Sequence, residues 1–302
     1  MRVCILSLLL LSGCTGEDLL CDAEDAPLLQ AAGRDALLFP AEDARAIAVL
    51  FHGLGESSCT WTDRVEGARI SARLQGAGYT VLAPDAGPDK AYWGTRWPSN
   101  DDVDAIDAMV AELDALGLID ASLPAVTLGH SNGATFAPIY AEAGALDSVA
   151  AVVANGWGSE ALSAKGSPPP LLFIAAENDL VVPSPMTTQA EQRARDAGHT
   201  TEFERDAPQP LDRDRFARIP GLDEDDSRAL FAALHDADLL DEDDLLTANP
   251  RLDRAWSNAI PAALDEHRDA IEEQLHVLYA EHRFSSDNGD RIQSFFDDAL
   301  ER

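Results

Sequence analysis

Residues 129–133 read Gly129-His130-Ser131-Asn132-Gly133, directly after the apolar segment Ala125–Leu128 and directly before a stretch with alanines at helical spacing. A serine on a tight turn between strand and helix needs small residues two places before and after it, because the strained backbone leaves no room for larger side chains. Gly129 and Gly133 meet this requirement. The stretch predicts a nucleophile elbow with Ser131 at its tip, and a structural glycine-rich turn is the alternative interpretation.

Around this turn, strand-like and helix-like stretches alternate from about residue 37 to residue 203. This order is typical of a mostly parallel sheet with helices on both faces, so the predicted fold class is α/β. The predicted strands are Asp35–Phe39, Ala46–Phe51, Thr80–Ala83, Ala125–Leu128, Val149–Ala154, Leu171–Ala175 and Thr201–Glu204. Apolar periodicity predicts crossover helices over Val65–Gly76 and Val103–Leu116, with Asn100 or Asp101 as the N-cap of the second.

The pattern changes near Pro208, beyond which apolar residues fall at helical rather than strand spacing. Helices are predicted over Ser227–Leu234, Leu252–Ile260, Ala262–Leu278 and, at the end of the chain, Asp290–Leu300. The expected organisation is a signal peptide (1–13), a tether (14–34), a core (35–205), a helical insertion or lid (206–275) and a last segment of the core (276–302).

The composition narrows the range of functions. The chain has 302 residues, with 54 acidic and 22 basic side chains and a formal net charge of −32. So acidic a surface repels nucleic-acid phosphates and anionic lipids, and the basic residues form no run, which excludes nucleic-acid binding. The hydrophobic content of 46% is that of a globular protein with a core large enough to enclose a site.

The N-terminus has the layout of an export signal, with Arg2 followed by the apolar run Val3–Leu11. About nine apolar residues are too few to cross a bilayer. The following segment, Leu11-Ser12-Gly13-Cys14, resembles a bacterial lipobox, which implies cleavage before Cys14 and attachment of lipid to it. We therefore expect a lipoprotein of the outer membrane or cell surface, or, with an ordinary signal peptide, a secreted protein.

Two cysteines remain after removal of the signal and lipidation, Cys21 and Cys59. Because the expected compartment is oxidising, a disulfide between them is predicted, with two free thiols as the alternative.

A second motif, His52-Gly53-Leu54-Gly55, ends the predicted strand Ala46–Phe51. Together with the elbow it resembles the α/β-hydrolase family. In that family the residue after such a His-Gly pair and the residue after the nucleophile donate backbone amides to an oxyanion, which implies Leu54 and Asn132. Two such preorganised donors stabilise the charge that develops on a carbonyl oxygen. His52 itself is expected to be structural.

A third motif follows the predicted strand Leu171–Ala175. The next residues lead to Asp179, and a Val-Val-Pro segment comes soon after it. It looks like the acid loop of the same family, which implies that Asp179 orients the catalytic histidine. Glu177 is the competing acid, but it lies too early in the loop. A helix N-cap is the alternative role for Asp179.

The histidine departs from the family pattern, because residues 205–234 contain none after the last predicted strand. His282 has the best context, since a polar loop leads from it into the last helix and the order Ser131, Asp179, His282 is that of the family. His282 also continues a helical stripe and could instead end a helix on a lid. His235 and His276 are the main alternatives, and His199 and His267 have weaker contexts.

Aromatic residues follow several predicted strands at their carboxyl ends, where open α/β sheets bind ligands. Trp93, Trp97 and Trp157 are candidate substrate-binding residues, and simple packing is the alternative. Residues 97–103 are similar to one loop of secreted polyester depolymerases and feruloyl-esterase relatives.

These resemblances imply an extracytoplasmic, lipid-anchored serine hydrolase that cleaves carboxylic esters through an acyl-enzyme. They imply no metal and no organic cofactor. The expected partners are a small-molecule or polymeric ester substrate and, through the anchor alone, a membrane. The alternatives are a non-catalytic binding module on the same fold, and a peptidase or acyltransferase with the same triad. The sequence predicts neither the acyl group nor the oligomeric state.

Overall fold

The computed structural model describes residues 21, 27–87, 92–96, 100–157 and 168–302. The expected signal peptide, Cys14 and Trp97 lie outside the described residues. The strands are β1 (Leu28–Ala31), β2 (Arg34–Phe39), β3 (Ala46–Phe51), β4 (Tyr79–Pro84), β5 (Ala125–His130), β6 (Ser148–Ala154), β7 (Leu171–Ala176) and β8 (Thr201–Asp206).

The α-helices are α1 (Thr60–Asp63), α2 (Val65–Gly76), α3 (Asp101–Ala115), α4 (Asn132–Ala143), α5 (Ser184–Asp196), α6 (Glu224–Asp236), α7 (Trp256–Ala259), α8 (Arg268–Leu278) and α9 (Gly289–Leu300). Short 3₁₀ helices cover Arg215–Arg218, Ala262–His267 and Ser286–Asn288. Within the part of the chain that the structure describes, every helix is too short or too polar to cross a bilayer.

The strands form one eight-stranded sheet in the order β1-β2-β4-β3-β5-β6-β7-β8. All pairs from β4 to β8 are parallel, and β1 and β2 form an antiparallel edge. The predicted α/β class with a mostly parallel sheet is confirmed. Because the strands β3 to β8 run in one direction, the loops after them meet at one edge of the sheet.

The centre of the sheet is apolar on both faces. β3, β5 and β7 are buried along their whole length, because helices cover them from both sides. On one face α2 and α9 contribute Ile70 and Phe295 to the core, and on the other face α3 and α4 contribute Met109 and Phe136. The N-cap of α3 is Asn100, whose side chain accepts a hydrogen bond from the amide of Asp102.

The core begins earlier in the chain than the sequence pattern indicated. β1 lies within the segment 14–34, which was expected to be a tether, and pairs with β2 through the two-residue turn Ala32-Gly33. Both turn residues have positive φ, 50° and 74°, as a tight hairpin requires. Alanine is an unusual residue at the first of these positions, so the turn lacks the Asn-Gly or Asp-Gly pair that marks such a hairpin in a sequence.

The segment between β8 and α9 packs around an apolar cluster of its own that includes Phe216, Leu230, Trp256 and Leu275. Val65 of α2 joins the same cluster, so the segment rests directly on the core. Of the predicted helix Leu252–Ile260, only α7 is helical in the structure. In place of the predicted helix Ala262–Leu278, the structure has a 3₁₀ turn followed by α8. α8 also runs across the expected boundary at residues 275 and 276.

Cys21 is joined to this core covalently. The structure joins Cys21 and Cys59 in a disulfide, with their Cα atoms 5.2 Å apart. Cys59 directly precedes α1, so the bond holds Cys21 beside the loop that follows β3.

Candidate active site

Ser131 lies at the tip of the turn between β5 and α4, with φ 56° and ψ −117°. This backbone conformation is strained for a residue with a side chain. The turn is tight enough that a Cβ added to Gly129 would lie 2.1 Å from the carbonyl oxygen of Gly133. A Cβ on Gly133 would lie 2.2 Å from the carbonyl oxygen of Phe51. Both glycines are therefore required by the close approach of backbone to backbone.

Ser131, His282 and Asp179 form one hydrogen-bonded chain. The Oγ of Ser131 lies 2.8 Å from Nε2 of His282, and Nδ1 of His282 lies 2.6 Å from Oδ2 of Asp179. The side chain of Asp179 is fully buried and that of His282 is 8% exposed. With Nδ1–H donating to the carboxylate, Nε2 is left as an acceptor for the serine hydroxyl, which is the tautomer that a general base requires.

The backbone around Asp179 fixes its carboxylate. Its Oδ1 accepts hydrogen bonds from the amides of Val181 and Val182, both at 2.7 Å, which leaves Oδ2 for His282. α5 begins at Ser184, so Asp179 does not cap that helix. Glu177, the competing acid, has an exposed side chain.

Two asparagines that sequence analysis did not single out hold the loop of His282. α8 ends at Leu278, so His282 lies in a loop and not on a helical stripe. Asn178 donates from its backbone amide to the carbonyl of Ala280 and from its side chain to that of Tyr279, both at 2.9 Å. Asn155 donates to the carbonyl of the residue after His282 at 2.8 Å. No local sequence pattern marks either asparagine, because their partners are distant in the chain.

The other candidate histidines lie elsewhere. His235 is exposed on α6. His276 is buried in α8, where burial first, and then nearby guanidinium groups, lower its pKa to about 3. His199 pairs with Glu142, with Nε2 3.0 Å from the carboxylate.

The two expected oxyanion donors lie on neighbouring loops. β3 pairs with β5, and Phe51 is aligned with Gly129. Leu54 lies three residues after Phe51, and Asn132 lies three residues after Gly129. Asn132 is the first residue of α4, where a backbone amide has no acceptor within its own helix and the helix dipole is positive. The amide of Asn132 therefore favours a negative charge nearby.

His52 supports this edge of the sheet structurally, as expected. Its Nδ1 lies 2.8 Å from the carbonyl oxygen of Gly53, and its Nε2 accepts a hydrogen bond from the amide of Ala86. Nδ1 is therefore the protonated nitrogen. Burial, as the largest effect, lowers the pKa of this imidazole, so it is neutral.

The two candidate tryptophans that the structure describes differ in exposure. Trp93 is 1% exposed, stacks on Phe136 and donates its indole N–H to the carbonyl of His52 at 3.0 Å. It is a buried anchor for its loop, which corrects the expectation that it contacts substrate. Its backbone also pairs with the side-chain amide of Asn132. Trp157 is 44% exposed and remains a candidate contact for substrate.

Among the described residues, one group of possible metal ligands comes together, formed by Cys21, Cys59 and Asp63. Both sulfurs are bonded to one another in the disulfide, so this group does not form a thiolate site.

The sequence matches the family described as the alpha/beta hydrolase family over residues 48–301. That match covers most of the chain. The protein belongs to the alpha/beta hydrolase family. The matched part of this alpha/beta hydrolase runs from β3 to α9 and includes Ser131, Asp179 and His282. No curated protein sequence matches the chain.

Several solved structures are similar to this alpha/beta hydrolase. A carboxylesterase from Mesorhizobium loti is 18% identical, with a TM-score of 0.47 over 60% of this chain and 90% of that one. The Pyrococcus furiosus esterase Pf2001 is 14% identical, with a TM-score of 0.45 over 57% and 77%. Esterase PE8 is 19% identical, with a TM-score of 0.41 over 56% and 86%.

Proposed function

We propose that this alpha/beta hydrolase is a serine esterase in which Ser131 is the nucleophile, His282 the general base and acid, and Asp179 the residue that orients the imidazole. The observation that carries the proposal is the continuous hydrogen-bonded chain of these three side chains at a strained strand-to-helix turn. The hydrogen bond between His282 and Ser131 weighs against the alternative of a non-catalytic binding module, which would not need it.

The reaction follows from this geometry. The Oγ of Ser131 attacks the ester carbonyl carbon while its proton passes to Nε2 of His282. The carbonyl oxygen becomes an oxyanion that the amides of Leu54 and Asn132 stabilise. Asp179 stabilises the imidazolium. The C–O bond of the ester then breaks, the alcohol leaves with the proton from His282, and an acyl group remains on Ser131.

Hydrolysis of the acyl-enzyme repeats these steps with water. His282 takes a proton from the water, whose oxygen attacks the acyl carbon and forms a second oxyanion. When this intermediate collapses, the carboxylic acid is released and the proton returns to Ser131.

The charge and surface of the protein favour uncharged esters with apolar groups. Of the eight large apolar side chains that are exposed in the described part of the chain, six follow carboxyl ends of parallel strands, namely Leu54, Tyr92, Trp157, Leu180, Val181 and Met186. This is the edge that carries Ser131. Exposed apolar groups concentrated in one region are typical of a binding surface. A net charge of −32 opposes the approach of an anionic substrate.

We also propose that the protein acts outside the cytosol, anchored through lipid on Cys14. The lipobox-like segment and the apolar run before it support this location. The disulfide between Cys21 and Cys59 supports it independently, because disulfides form and persist in oxidising compartments.

Hydrolysis of p-nitrophenyl butyrate by the detergent-solubilised full chain tests the catalytic proposal. We expect Ser131→Ala and His282→Ala to lower kcat/KM by about 10³–10⁶, and Asp179→Asn by about 10⁴, because each removes part of one hydrogen-bonded unit. His235→Ala, at an exposed histidine on α6, is the matched control and keeps parental activity. Full activity in Ser131→Ala would contradict the proposal.

The same assay tests the substrate class. p-Nitrophenyl hemisuccinate differs from the butyrate in carrying a carboxylate, so we expect a lower kcat/KM with it and a smaller difference at high salt, where charge is screened. Equal kcat/KM values for the two esters at low salt would argue against selection by charge.

A further inference from the structure

Glu56 lies in the loop that carries Leu54, and neither the sequence motifs nor the triad assigns it a role. Its carboxylate Oε2 accepts a hydrogen bond from the amide of Gly53 at 2.9 Å. Its own amide donates to the carbonyl of Gly53 at 3.3 Å. The two residues therefore close a turn from both sides, with Leu54 and Gly55 between them. Gly55 has φ 76°, which suits the third position of such a turn.

The side chain of Glu56 packs closely against Gly53. A Cβ added to Gly53 would lie 2.7 Å from Oε2 of Glu56 and 3.4 Å from Nδ1 of His130. The carboxylate thus occupies the space that a side chain at residue 53 would need. Glycine in that position has wide conformational freedom, so the loop depends on outside contacts to keep one conformation.

Groups in the interior of the protein favour the ionised form of Glu56. Its Oε2 lies 3.9 Å from Nδ1 of His130, whose ring centroid lies 5.2 Å from that of His282. Burial raises the pKa of Glu56, but His130 and the amide of Gly53 outweigh burial and lower it to about 2. Glu56 and Arg283 line the same cavity of about 20 Å³. The carboxylate is ionised, with a guanidinium nearby.

The orientation of one peptide group links Glu56 to the oxyanion. The carbonyl of Gly53 and the N–H of Leu54 belong to a single planar peptide and point in opposite directions. The backbone amide of Glu56 and Nδ1 of His52 hold the carbonyl of Gly53. The carboxylate of Glu56 holds the preceding peptide through the amide of Gly53. Together these contacts fix the backbone angles of Gly53, and with them the direction of the N–H of Leu54.

We infer that Glu56 is a positioning residue of the oxyanion hole, whose carboxylate holds Gly53 so that the N–H of Leu54 points at the developing oxyanion. The inference rests on the proposed esterase function. Removing an oxyanion donor typically lowers kcat by about 10²–10³, and misaligning one costs less. The loss falls on kcat rather than KM, because the donor acts mainly in the transition state.

Three variants of the full chain test this inference, with p-nitrophenyl butyrate as substrate and a trifluoromethyl ketone as an inhibitor that forms an oxyanion adduct with serine. Glu56→Ala removes the acceptor, and we expect it to lower kcat and weaken the inhibitor by about 10–10² while KM changes by less than about 3-fold. Glu56→Gln keeps an oxygen at the same distance and is expected to restore kcat to within about 5-fold of the parent. Glu191→Ala removes a buried carboxylate on α5 as the matched control and keeps the parental kcat.

A parental kcat in Glu56→Ala overturns the inference, and so does a loss in Glu56→Gln as large as that in Glu56→Ala. If Glu56→Ala does not fold, Glu56→Asp replaces it with the same expectation, because the shorter side chain withdraws its carboxylate from Gly53. Failure of the proposed function has a different signature, in which the parent and Ser131→Ala hydrolyse the ester equally.

Discussion

At the scale of single residues, backbone strain is concentrated at Ser131. Its φ of 56° and ψ of −117° place it in a region that costs about 1–3 kcal/mol for a residue with a side chain. The amide of Ser131 donates to the carbonyl of Ala154 at 3.0 Å, and the glycines on either side let the chains approach closely. The surrounding contacts thus hold the hydroxyl at the edge of the sheet, facing His282.

Gly133→Ala tests whether this close approach is required. Its Cβ would meet backbone oxygen of β3 at 2.2 Å, so we expect the free energy of unfolding to fall by about 3 kcal/mol or more, together with loss of esterase activity. Gly76→Ala at the end of α2 is the matched control, because a Cβ there meets nothing within 4 Å. We expect Gly76→Ala to leave stability unchanged or to raise it by up to about 1 kcal/mol in urea titrations. Equal stability of the two variants would contradict this account of the elbow.

At the scale of elements, α8 docks on α2 through a buried acid. The carboxylate of Glu273 accepts a hydrogen bond from the amide of Val65 at 3.2 Å, and the residue is 5% exposed. Burial raises the pKa of Glu273 to about 7, against the opposing effect of Arg64. Because the folded state binds this proton more tightly than the unfolded state, the contact loses stability as pH rises from about 4.5 through 7.

Glu273→Gln stays neutral at every pH and keeps an oxygen acceptor for Val65. We therefore expect its free energy of unfolding, relative to the parent, to rise by on the order of 1–3 kcal/mol between about pH 5 and about pH 8. Urea titrations at the two pH values measure this difference. Glu272→Gln, on the same helix and more exposed, is the control. A stability difference that does not vary with pH would show that burial of the charge is not the cause.

Local patterns predicted the elements that bury continuous apolar runs. β3 and α2 have the predicted boundaries, because each carries its full pattern within one short segment. β1 was not predicted, since only one of its two turn residues, Gly33, favours positive φ. The division of the predicted helix Ala262–Leu278 also has no periodic signal, because 3₁₀ and α turns both place apolar residues about three to four apart.

The residues of the candidate site also divide into those that a local pattern marks and those that it does not. Ser131 and Asp179 each follow a buried strand, so a local motif was enough to single them out. The insertion separates His282 from β8, and only chain order and the following helix favoured it over His235 and His276. Asn178 and Asn155 hold its loop through partners 101 and 128 residues away, which no local pattern indicates.

At the scale of the whole molecule, Cys21 is joined to the loop after β3, at the edge of the sheet that carries Ser131. The disulfide fixes Cys21 next to α1, so an anchor on Cys14 would lie only a few residues from the core. The proposed lipoprotein would therefore be held close to its membrane.

Metabolic labelling with an alkyne fatty acid in a bacterial host that processes lipoproteins tests the anchor. We expect the parent to carry the label and to sediment with membranes, and Cys14→Ala to do neither, because the thiol that receives the lipid is gone. Cys59→Ser breaks the disulfide but keeps Cys14, so it is the control and should be labelled like the parent. Equal labelling of Cys14→Ala would contradict lipidation at that residue.

The most direct test of the central claim is a rapid-quench measurement with p-nitrophenyl butyrate. If the protein is a serine esterase that uses Ser131, we expect a burst of p-nitrophenol close to one equivalent per enzyme when deacylation is slow. We also expect a butyryl group on the peptide that carries Ser131. Ser131→Ala should show neither. A burst in the parent with no acyl group on Ser131, or an unchanged burst in Ser131→Ala, would contradict the account.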